Sequence, residues 1–280
     1  MNNLKTLGLL GALTLLLVYG GRLLAGPSGM LFGLGIAVVM NLGSYWFSDR
    51  IALAMAGAKP LAEPDAPQIY AIVRRVAGLA GVAQPRVYLV PQSAPNAFAT
   101  GRDPAHATVA VTAGILDIVN ERELTAVLAH ELGHVTNRDT LVMAIAASIA
   151  GAISYLAQIA QWSMWFGGRD DEREGGGIIG LLAGIILLPL AATVIQLAIS
   201  RSREFGADET GARMTHDPMA LASALGKLDA YSRRAPLAVN PAVSALFIVR
   251  PLLPGGFSGL FSTHPPIAER IARLERMTDA

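Results

Sequence analysis

The chain has 280 residues, of which 52% are hydrophobic and only 15% are charged, and its net charge at pH 7 is +1. With a mean hydropathy of +0.46, it is too apolar for an ordinary soluble protein and is expected to cross a membrane. A net charge so near zero gives no support to a nucleic-acid partner. The absence of cysteine excludes disulfides, thiolate nucleophiles and cysteine–metal sites.

Residues 1–48 contain two apolar runs, Leu7 to Leu24 and Gly29 to Phe47. Each is long enough to cross a bilayer core of about 30 Å as a helix. The stretch Gly26-Pro27-Ser28-Gly29 between them is typical of a tight turn. We therefore predict an N-terminal transmembrane hairpin. A cleaved signal peptide is the alternative for the first run, and the second run that follows at once argues against it.

Residues 49–140 have the composition of a water-soluble domain, and apolar spacing from Ile69 onward predicts a helix. Three short strands of a small sheet are predicted at Arg86 to Val90, Asn96 to Thr100 and Thr108 to Thr112. Asn120, with Glu123 three residues later, is typical of a capping box and predicts that a further helix begins here.

That further helix carries His130-Glu131-Leu132-Gly133-His134, which has the H-E-x-x-H spacing of zinc hydrolases. Because each helical residue turns roughly 100°, His130 and His134 lie about 40° apart on one face and can bind one zinc ion together. Glu131 lies beside them, placed to act on a water molecule as a base. The alternative is a surface helix with two solvated histidines.

Residues 141–199 contain two further apolar runs, Leu141 to Phe166 and Ile178 to Ile199, separated by a glycine-rich charged loop. They predict a second transmembrane hairpin, in which Pro189 kinks the last helix. Residues 200–280 return to a soluble composition. Helices are predicted there at Arg201 to Met214, Met219 to Ala230 and Ile267 to Met277.

Four crossings return the chain to the side of the membrane that it leaves after His134, and they place both termini on that side. Lys and Arg residues near the span ends are more numerous there than in the opposite loops. This excess predicts that the catalytic side faces the cytoplasm.

The same topology predicts a third metal ligand. Two packed antiparallel helices would bring Glu204, just after the fourth span, close to His134, just before the third. Two histidines and one glutamate with an open fourth position make a catalytic zinc site rather than a structural one. Asp208, one turn after Glu204, is placed to accept an N–H from a ligating imidazole. Ordinary solvated acidic residues are the alternative for both carboxylates.

These motifs together resemble those of the M48 metallopeptidases: H-E-L-G-H at 130–134, then a hairpin, then S-R-S-R-E-F-G-A-D at 200–208. With N-A-F-A-T-G at 96–101 and S-T-H-P-P at 262–266, they are similar to the HtpX-type membrane proteases of bacteria. We expect a predominantly α fold with four transmembrane helices and a mainly helical zincin-type protease domain with a small β-sheet. Its segments are residues 1–48, 49–140, 141–199 and 200–280.

The resemblance implies a zinc-dependent endopeptidase, with one Zn²⁺ per chain, in the cytoplasmic (inner) membrane. Such a protease removes misfolded or damaged membrane proteins during stress, acts on the cytoplasmic face of the bilayer, and overlaps in function with other membrane proteases. The resemblance supports His130, His134 and Glu204 as zinc ligands and Glu131 as the general base.

Further roles are implied by the resemblance alone. A substrate-binding edge strand is expected to be formed by Asn96, Ala97, Phe98 and Ala99 and to pair with extended substrate; an ordinary sheet strand explains the same pattern. His264, with Arg270 as a supporting cation, is expected to stabilise the transition state. A turn residue held by Pro265 is the alternative for His264.

Two other functions stay open at this point. One is a prenyl-peptide (CAAX-type) protease, although four spans are few for the large intramembrane chamber of such relatives. The other is a non-catalytic membrane scaffold or transporter with a structural metal. Transport usually requires ionisable residues within the spans, and the predicted third and fourth spans have almost none.

Overall fold

The structure, a computed structural model, describes residues 2–140, 142–143, 201–234, 248 and 265–278. The predicted third and fourth spans, the charged loop between them and His264 lie outside the described residues. Within the described part, the chain is mostly helical with one small mixed sheet. This agrees with the expected fold class, except that four spans are not observed.

The described helices and strands are listed here in chain order: α1 Asn2–Met55, β1 Lys59–Pro60, α2 Pro67–Ala80, β2 Arg86–Val90, β3 Ala97–Thr100, β4 Thr108–Thr112, α3 Ala113–Ile118, α4 Glu121–Thr136, α5 Arg201–Thr215, α6 Pro218–Arg234 and α7 Ile267–Arg276. Two short 3₁₀ turns are formed by Glu63–Asp65 and Pro104–His106. The three predicted strands and the predicted soluble helices are confirmed, with end points that differ by a few residues.

Helix α1 reverses direction at Gly26, whose φ is +62°. Asn41 Nδ2 donates to Thr14 Oγ1 at 2.9 Å and to the carbonyl of Leu10, 31 residues away, at 3.3 Å. Two residues that far apart in a straight helix would be separated by about 46 Å. The contacts therefore require two antiparallel arms, which reverse in the predicted turn, and the second arm extends to Met55.

One stretch of the described residues, Gly26–Gly43, is long and apolar enough to cross a membrane, with 18 residues and a mean hydropathy of 1.4. The first arm contains a shorter apolar stretch, Leu10–Arg22. By length and composition, one of the four predicted spans is therefore found. The other spans and the division of the chain into four segments stay predictions.

The sheet has the strand order β1-β2-β4-β3, with β2 and β4 parallel and the other neighbours antiparallel. Its two faces bury different side chains because successive residues of a strand point to opposite sides. Phe98 and Ala110 pack against Leu53 and Ala56 near the end of α1. The opposite face packs against the helices and forms the main core. The N-terminal hairpin is thus joined to the sheet by apolar contacts.

Helix α4 is the central helix of the main core and is buried from Glu123 to Val135, apart from Thr125. Its predicted capping box is confirmed, since Glu123 N donates to Asn120 Oδ1 and Asn120 N donates to Glu123 Oε2, both at 2.9 Å. This cap fixes where the helix that carries the two histidines begins. The positions of the histidines therefore depend in part on a signal that is local in the sequence.

Candidate metal centre and active site

Helices α4 and α5 approach closely at small residues. A Cβ added to Gly211 would lie 2.7 Å from His130 N and 2.9 Å from His130 Cα. A Cβ added to Gly133 would lie 3.4 Å from the carbonyl oxygen of Ala207. Residues 204, 208 and 211 share one face of α5 because their spacing follows the helical repeat. The close crossing therefore places the carboxylates of that face against the histidines of α4.

Three side chains converge at this crossing: His130, His134 and Glu204 each offer one ligand atom, and these atoms lie within 4.8 Å of one another. His134 Nε2 is 3.5 Å from Glu204 Oε1, and His130 Nε2 is 3.9 Å from Glu204 Oε2. Two ligands of a tetrahedral zinc ion, each bound at about 2.0–2.1 Å, lie about 3.4 Å apart. All three side chains are buried. The spacing and the nitrogen–oxygen donor set therefore fit zinc.

The other ring nitrogen of each histidine faces a carboxylate. His130 Nδ1 lies 2.9 Å from Asp208 Oδ1, and His134 Nδ1 lies 3.1 Å from Asp139 Oδ2. A carboxylate that accepts from Nδ1–H leaves the Nε2 lone pair directed at the other ligands. Asp208 lies where the sequence analysis expected it, beside a candidate ligand.

Asp139 is a functional candidate that sequence analysis missed. It lies beyond the end of α4, in a turn where Arg138 has a φ of +59°. This left-handed residue is unusual for a side chain other than glycine, and the turn brings Asp139 back to His134. A polar residue five positions after the second histidine was the available signal, but its direction depends on the turn.

Arg270 lies beside the three candidate ligands and is fully buried. Its Nε and one amino group donate to Asp208 at 2.8 and 2.7 Å. Its two amino groups lie 3.4 Å from Glu204 Oε2 and 3.4 Å from His130 Nε2. The expected supporting cation is therefore next to the candidate ligands, whereas its expected partner His264 lies outside the described residues.

Glu131 is buried beside the triad, with Oε1 4.0 Å from His130 Nε2 and Oε2 accepting from Ala99 N at 3.1 Å. Burial raises the pKa of Glu131, although the two histidines and the Ala99 N–H act in the opposite direction. A carboxylate whose pKa is raised above its ordinary value accepts a proton more readily. Its position and environment suit a general base.

The electrostatics of the site favour a bound cation. Burial works against protonation of His134, but the hydrogen bond to Asp139 and the charges of Glu204 and Glu131 outweigh it and raise the pKa of His134 to about 9. Burial also tends to raise the pKa of Asp208, yet Arg270 and His130 lower that pKa to about 2. On the Nε2 side of the histidines, Glu131 and Glu204 face the same small, buried volume, where a divalent cation would balance their charge.

Strand β3 lies at one end of the described sheet and pairs with β4. Ala99 N–H points away from β4, because it donates to Glu131. Backbone direction alternates along an antiparallel strand, so Ala97 also faces away from β4. Ala97, Phe98 and Ala99 are all buried, as is Asn96, whose Oδ1 accepts from Ile248 N at 3.1 Å. The predicted substrate-binding residues therefore lie beside the candidate base, in a buried edge strand.

Sequence comparison supplies the decisive observation, because residues 63–278 match the sequence profile of peptidase family M48. The chain belongs to peptidase family M48. Curated relatives named Protease HtpX homolog, from Syntrophobacter fumaroxidans and Pyrococcus abyssi, are 54% and 52% identical to it. Both alignments cover 98% of this chain, and they cover 98% and 95% of the relatives. The resemblance found in the motifs is confirmed.

A relative from Aquifex aeolicus with the same name is 53% identical over 93% of this chain and 87% of its own. Among solved structures, the crystal structure of S. mikatae Ste24p matches 98% of this chain with a TM-score of 0.54 and 20% identity. The match covers 65% of the Ste24p chain, so this chain spans about two-thirds of that protein's length. At this identity, the likeness shows a shared fold.

These comparisons establish that the M48 protein is a membrane metallopeptidase, a hydrolase of peptide bonds. The expectation of a protease is confirmed, and the alternative of a non-catalytic scaffold is not supported. Membrane association agrees with the apolar stretch in the N-terminal hairpin.

Proposed function

We propose that this M48 metallopeptidase is a zinc-dependent endopeptidase that cleaves misfolded or damaged membrane proteins at the cytoplasmic face of the inner membrane. The observation that supports this proposal is the convergence of His130, His134 and Glu204 around one point, with Glu131 beside them. The three residues would hold one Zn²⁺, and Asp208 and Asp139 would orient the imidazoles.

The chemistry divides between the metal and the chain. Zn²⁺ supplies Lewis-acid polarisation of water and of the substrate carbonyl. Glu131 accepts the proton of the attacking water and returns it to the leaving amine. Arg270, with His264, provides positive charge or a hydrogen-bond donor for the oxyanion that develops on the substrate. The buried position of Arg270 beside Glu204 supports its part of this role.

The position of β3 supports substrate binding along this strand. An extended peptide can add to the edge of a sheet through backbone hydrogen bonds and therefore needs little sequence specificity. The stretch Asn96 to Ala99 would bind the substrate backbone through Ala97 and Ala99, whose backbone groups face away from β4, and Ala99 lies next to Glu131. Unfolded segments supply extended backbone, which would give the protease a preference for misfolded proteins. Because β3 is buried, pairing requires its edge to become accessible.

The decisive experiment compares the wild type with Glu131→Gln in detergent. We expect Glu131→Gln to retain one zinc per chain by elemental analysis and to lose casein cleavage by a factor of about 10² or more. Glu121→Gln is the matched control, because Glu121 is an exposed residue of the same helix. Undiminished cleavage by Glu131→Gln would refute the assigned base.

A second comparison tests the substrate class. We expect cleavage of an unfolded membrane protein to exceed cleavage of the same protein when folded and of a short prenylated peptide. Preferential cleavage of the prenylated peptide over its unmodified form would instead support the prenyl-peptide protease. Both arms use the full-length chain loaded with zinc.

A further inference from the structure

Each of the two candidate histidine ligands contacts a carboxylate, and each of these carboxylates lies next to an arginine. In the first series, His130 contacts Asp208, and Asp208 accepts from Arg270. In the second series, His134 contacts Asp139, and Asp139 lies next to Arg203. The first arginine comes from α7 and the second from α5, so the two series are built from different parts of the fold.

In the first series, short hydrogen bonds connect the arginine to the carboxylate. Arg270 donates two hydrogen bonds to the Asp208 carboxylate, at 2.8 and 2.7 Å, and a third to the carbonyl of Ile248 at 3.0 Å. A bidentate guanidinium fixes the plane and the direction of a carboxylate. The orientation of the His130 ring therefore depends on Arg270 through Asp208.

In the second series, the arginine and the carboxylate lie farther apart. Arg203 Nε lies 4.0 Å from Asp139 Oδ1, and the Arg203 side chain is only 9% exposed. Neither terminal amino group of Arg203 has a hydrogen-bond partner in the described part of the chain, and both are buried. Burying guanidinium donors without acceptors is costly. An approach of about 1 Å would give Arg203 a charge-assisted hydrogen bond to Asp139.

The turn that carries Asp139 is held by the residue that follows it. The hydroxyl of the next residue, Thr140 Oγ1, donates to the carbonyl of Gly101 at 3.2 Å, which holds the turn beside the end of β3. That bond leaves the direction of the Asp139 carboxylate to its side-chain contacts. Arg203 precedes Glu204 on α5, so it joins the turn after α4 to the helix that supplies the third candidate ligand.

We propose that Arg203 is a positioning residue of the metal centre, which holds the Asp139 carboxylate and thereby orients His134, as Arg270 does for His130 through Asp208. The inference rests on the proposed metal site. It assigns Arg203 no contact with substrate and no part in proton transfer. Its expected effect is on metal affinity and on ligand-field geometry.

The test measures the affinity of full-length protein in detergent for Zn²⁺, by competition with a chromophoric chelator, and the visible spectrum of the Co²⁺-loaded protein. Arg203→Met is expected to weaken Zn²⁺ binding about 10- to 100-fold, as loss of such supporting partners does, and to change the Co²⁺ spectrum. Arg203→Lys should recover part of the affinity. Arg213→Met, at an exposed position of the same helix, should match the wild type.

A double-mutant cycle separates positioning from general destabilisation. Asp139→Asn should weaken Zn²⁺ binding by itself, and adding Arg203→Met or Arg203→Lys to it should cause little further loss, because Arg203 acts through Asp139. Additive losses, or an affinity of Arg203→Met equal to that of the wild type, overturn the inference. If Arg203→Met does not fold, the cycle with Arg203→Lys decides. A wild type that binds no metal overturns the proposed function as well.

Discussion

Gly211 controls how closely α5 can approach the histidine helix. The positions of Glu204 and Asp208 depend on that approach, because all three residues lie on the same face of α5. Any side chain at position 211 would meet the backbone of His130, which cannot rotate away as a flexible side chain could. The identity of one small residue therefore determines whether the candidate ligands meet.

Substituting Gly211 by alanine tests this dependence. The added Cβ would lie 2.7 Å from His130 N, so we expect a loss of about 1–3 kcal/mol in the free energy of unfolding, as overpacking typically causes. Weaker zinc binding should accompany the loss. Thermal unfolding and zinc titration in detergent measure both effects.

Gly206→Ala is the matched control for Gly211→Ala. It lies in the same helix, and no atom of the described residues is within 4 Å of its added Cβ. Alanine is favoured over glycine in a helix by about 0.5–1 kcal/mol, so this variant should be as stable as the wild type or slightly more stable. Equal behaviour of the two alanine variants would contradict the role of the close crossing.

Substituting Arg270 should also cause a large loss of stability. Arg270→Leu would leave the buried Asp208 carboxylate without its guanidinium partner, and breaking a buried pair in this way costs about 3–5 kcal/mol. Urea-induced unfolding at neutral pH measures the loss. Arg276→Leu, at an exposed position of the same helix, should change stability little, and a similar loss in both variants would argue against the buried pair.

At the level of elements, Glu123 links the start of α4 to α6. Its carboxylate completes the capping box and accepts from Ser223 Oγ and Lys227 Nζ, both at 2.7 Å. Burial tends to raise the pKa of Glu123, but the hydrogen bonds from Lys227, Ser223 and Asn120 N outweigh it, and the pKa lies below the ordinary value of 4.5. The charged form therefore stabilises the folded state.

This lowered pKa predicts a pH dependence with a definite sign. A carboxyl group whose folded pKa is depressed contributes stability above its unfolded pKa and loses it as the pH falls through the folded value. Wild type should therefore exceed Glu123→Gln in unfolding temperature at neutral pH, and the difference should shrink as the pH falls below about 4.5. A difference that grows on acidification would contradict this assignment, and Glu121→Gln provides the control for an exposed carboxylate.

At the scale of the whole molecule, the N-terminal hairpin and the candidate catalytic residues belong to one connected structure. Leu53 and Ala56 of the second arm pack on the sheet face opposite the main core. Arg86 pairs with Asp49 at 2.6 Å, and the Arg102 guanidinium lies 4.9 Å from the Trp46 ring centroid. These contacts place the end of the hairpin next to the strands, which supports the proposed position of the site near the bilayer surface.

The proposed orientation can be tested with single cysteines, because the chain contains none. Ser28 lies in the exposed turn of the hairpin and Glu275 in an exposed position near the C-terminus. In intact cells, a membrane-impermeant maleimide should label Ser28→Cys but label Glu275→Cys only after lysis. The reverse pattern would place the catalytic side outside the cytoplasm.

Local features of this protein follow from the sequence because short-range geometry repeats. The helical spacing of His130 and His134, the cap formed by Asn120, and the alternating strands all depend on neighbours within a few residues. Glu204 and Asp208 were expected near the histidines from an additional topological argument, since the predicted second hairpin would return the chain to where it left. The family motifs then added the catalytic assignment.

Other features were decided by tertiary packing. Asp139 reaches His134 through a left-handed turn, Ala99 N–H reaches Glu131 across the edge of the sheet, and Gly211 allows the approach of two backbones. Each of these contacts joins groups whose relative direction depends on dihedral angles or on packed neighbours far along the chain. The spacing of residues in the sequence does not determine those directions. The residues surrounding the histidines therefore became evident only in the folded structure.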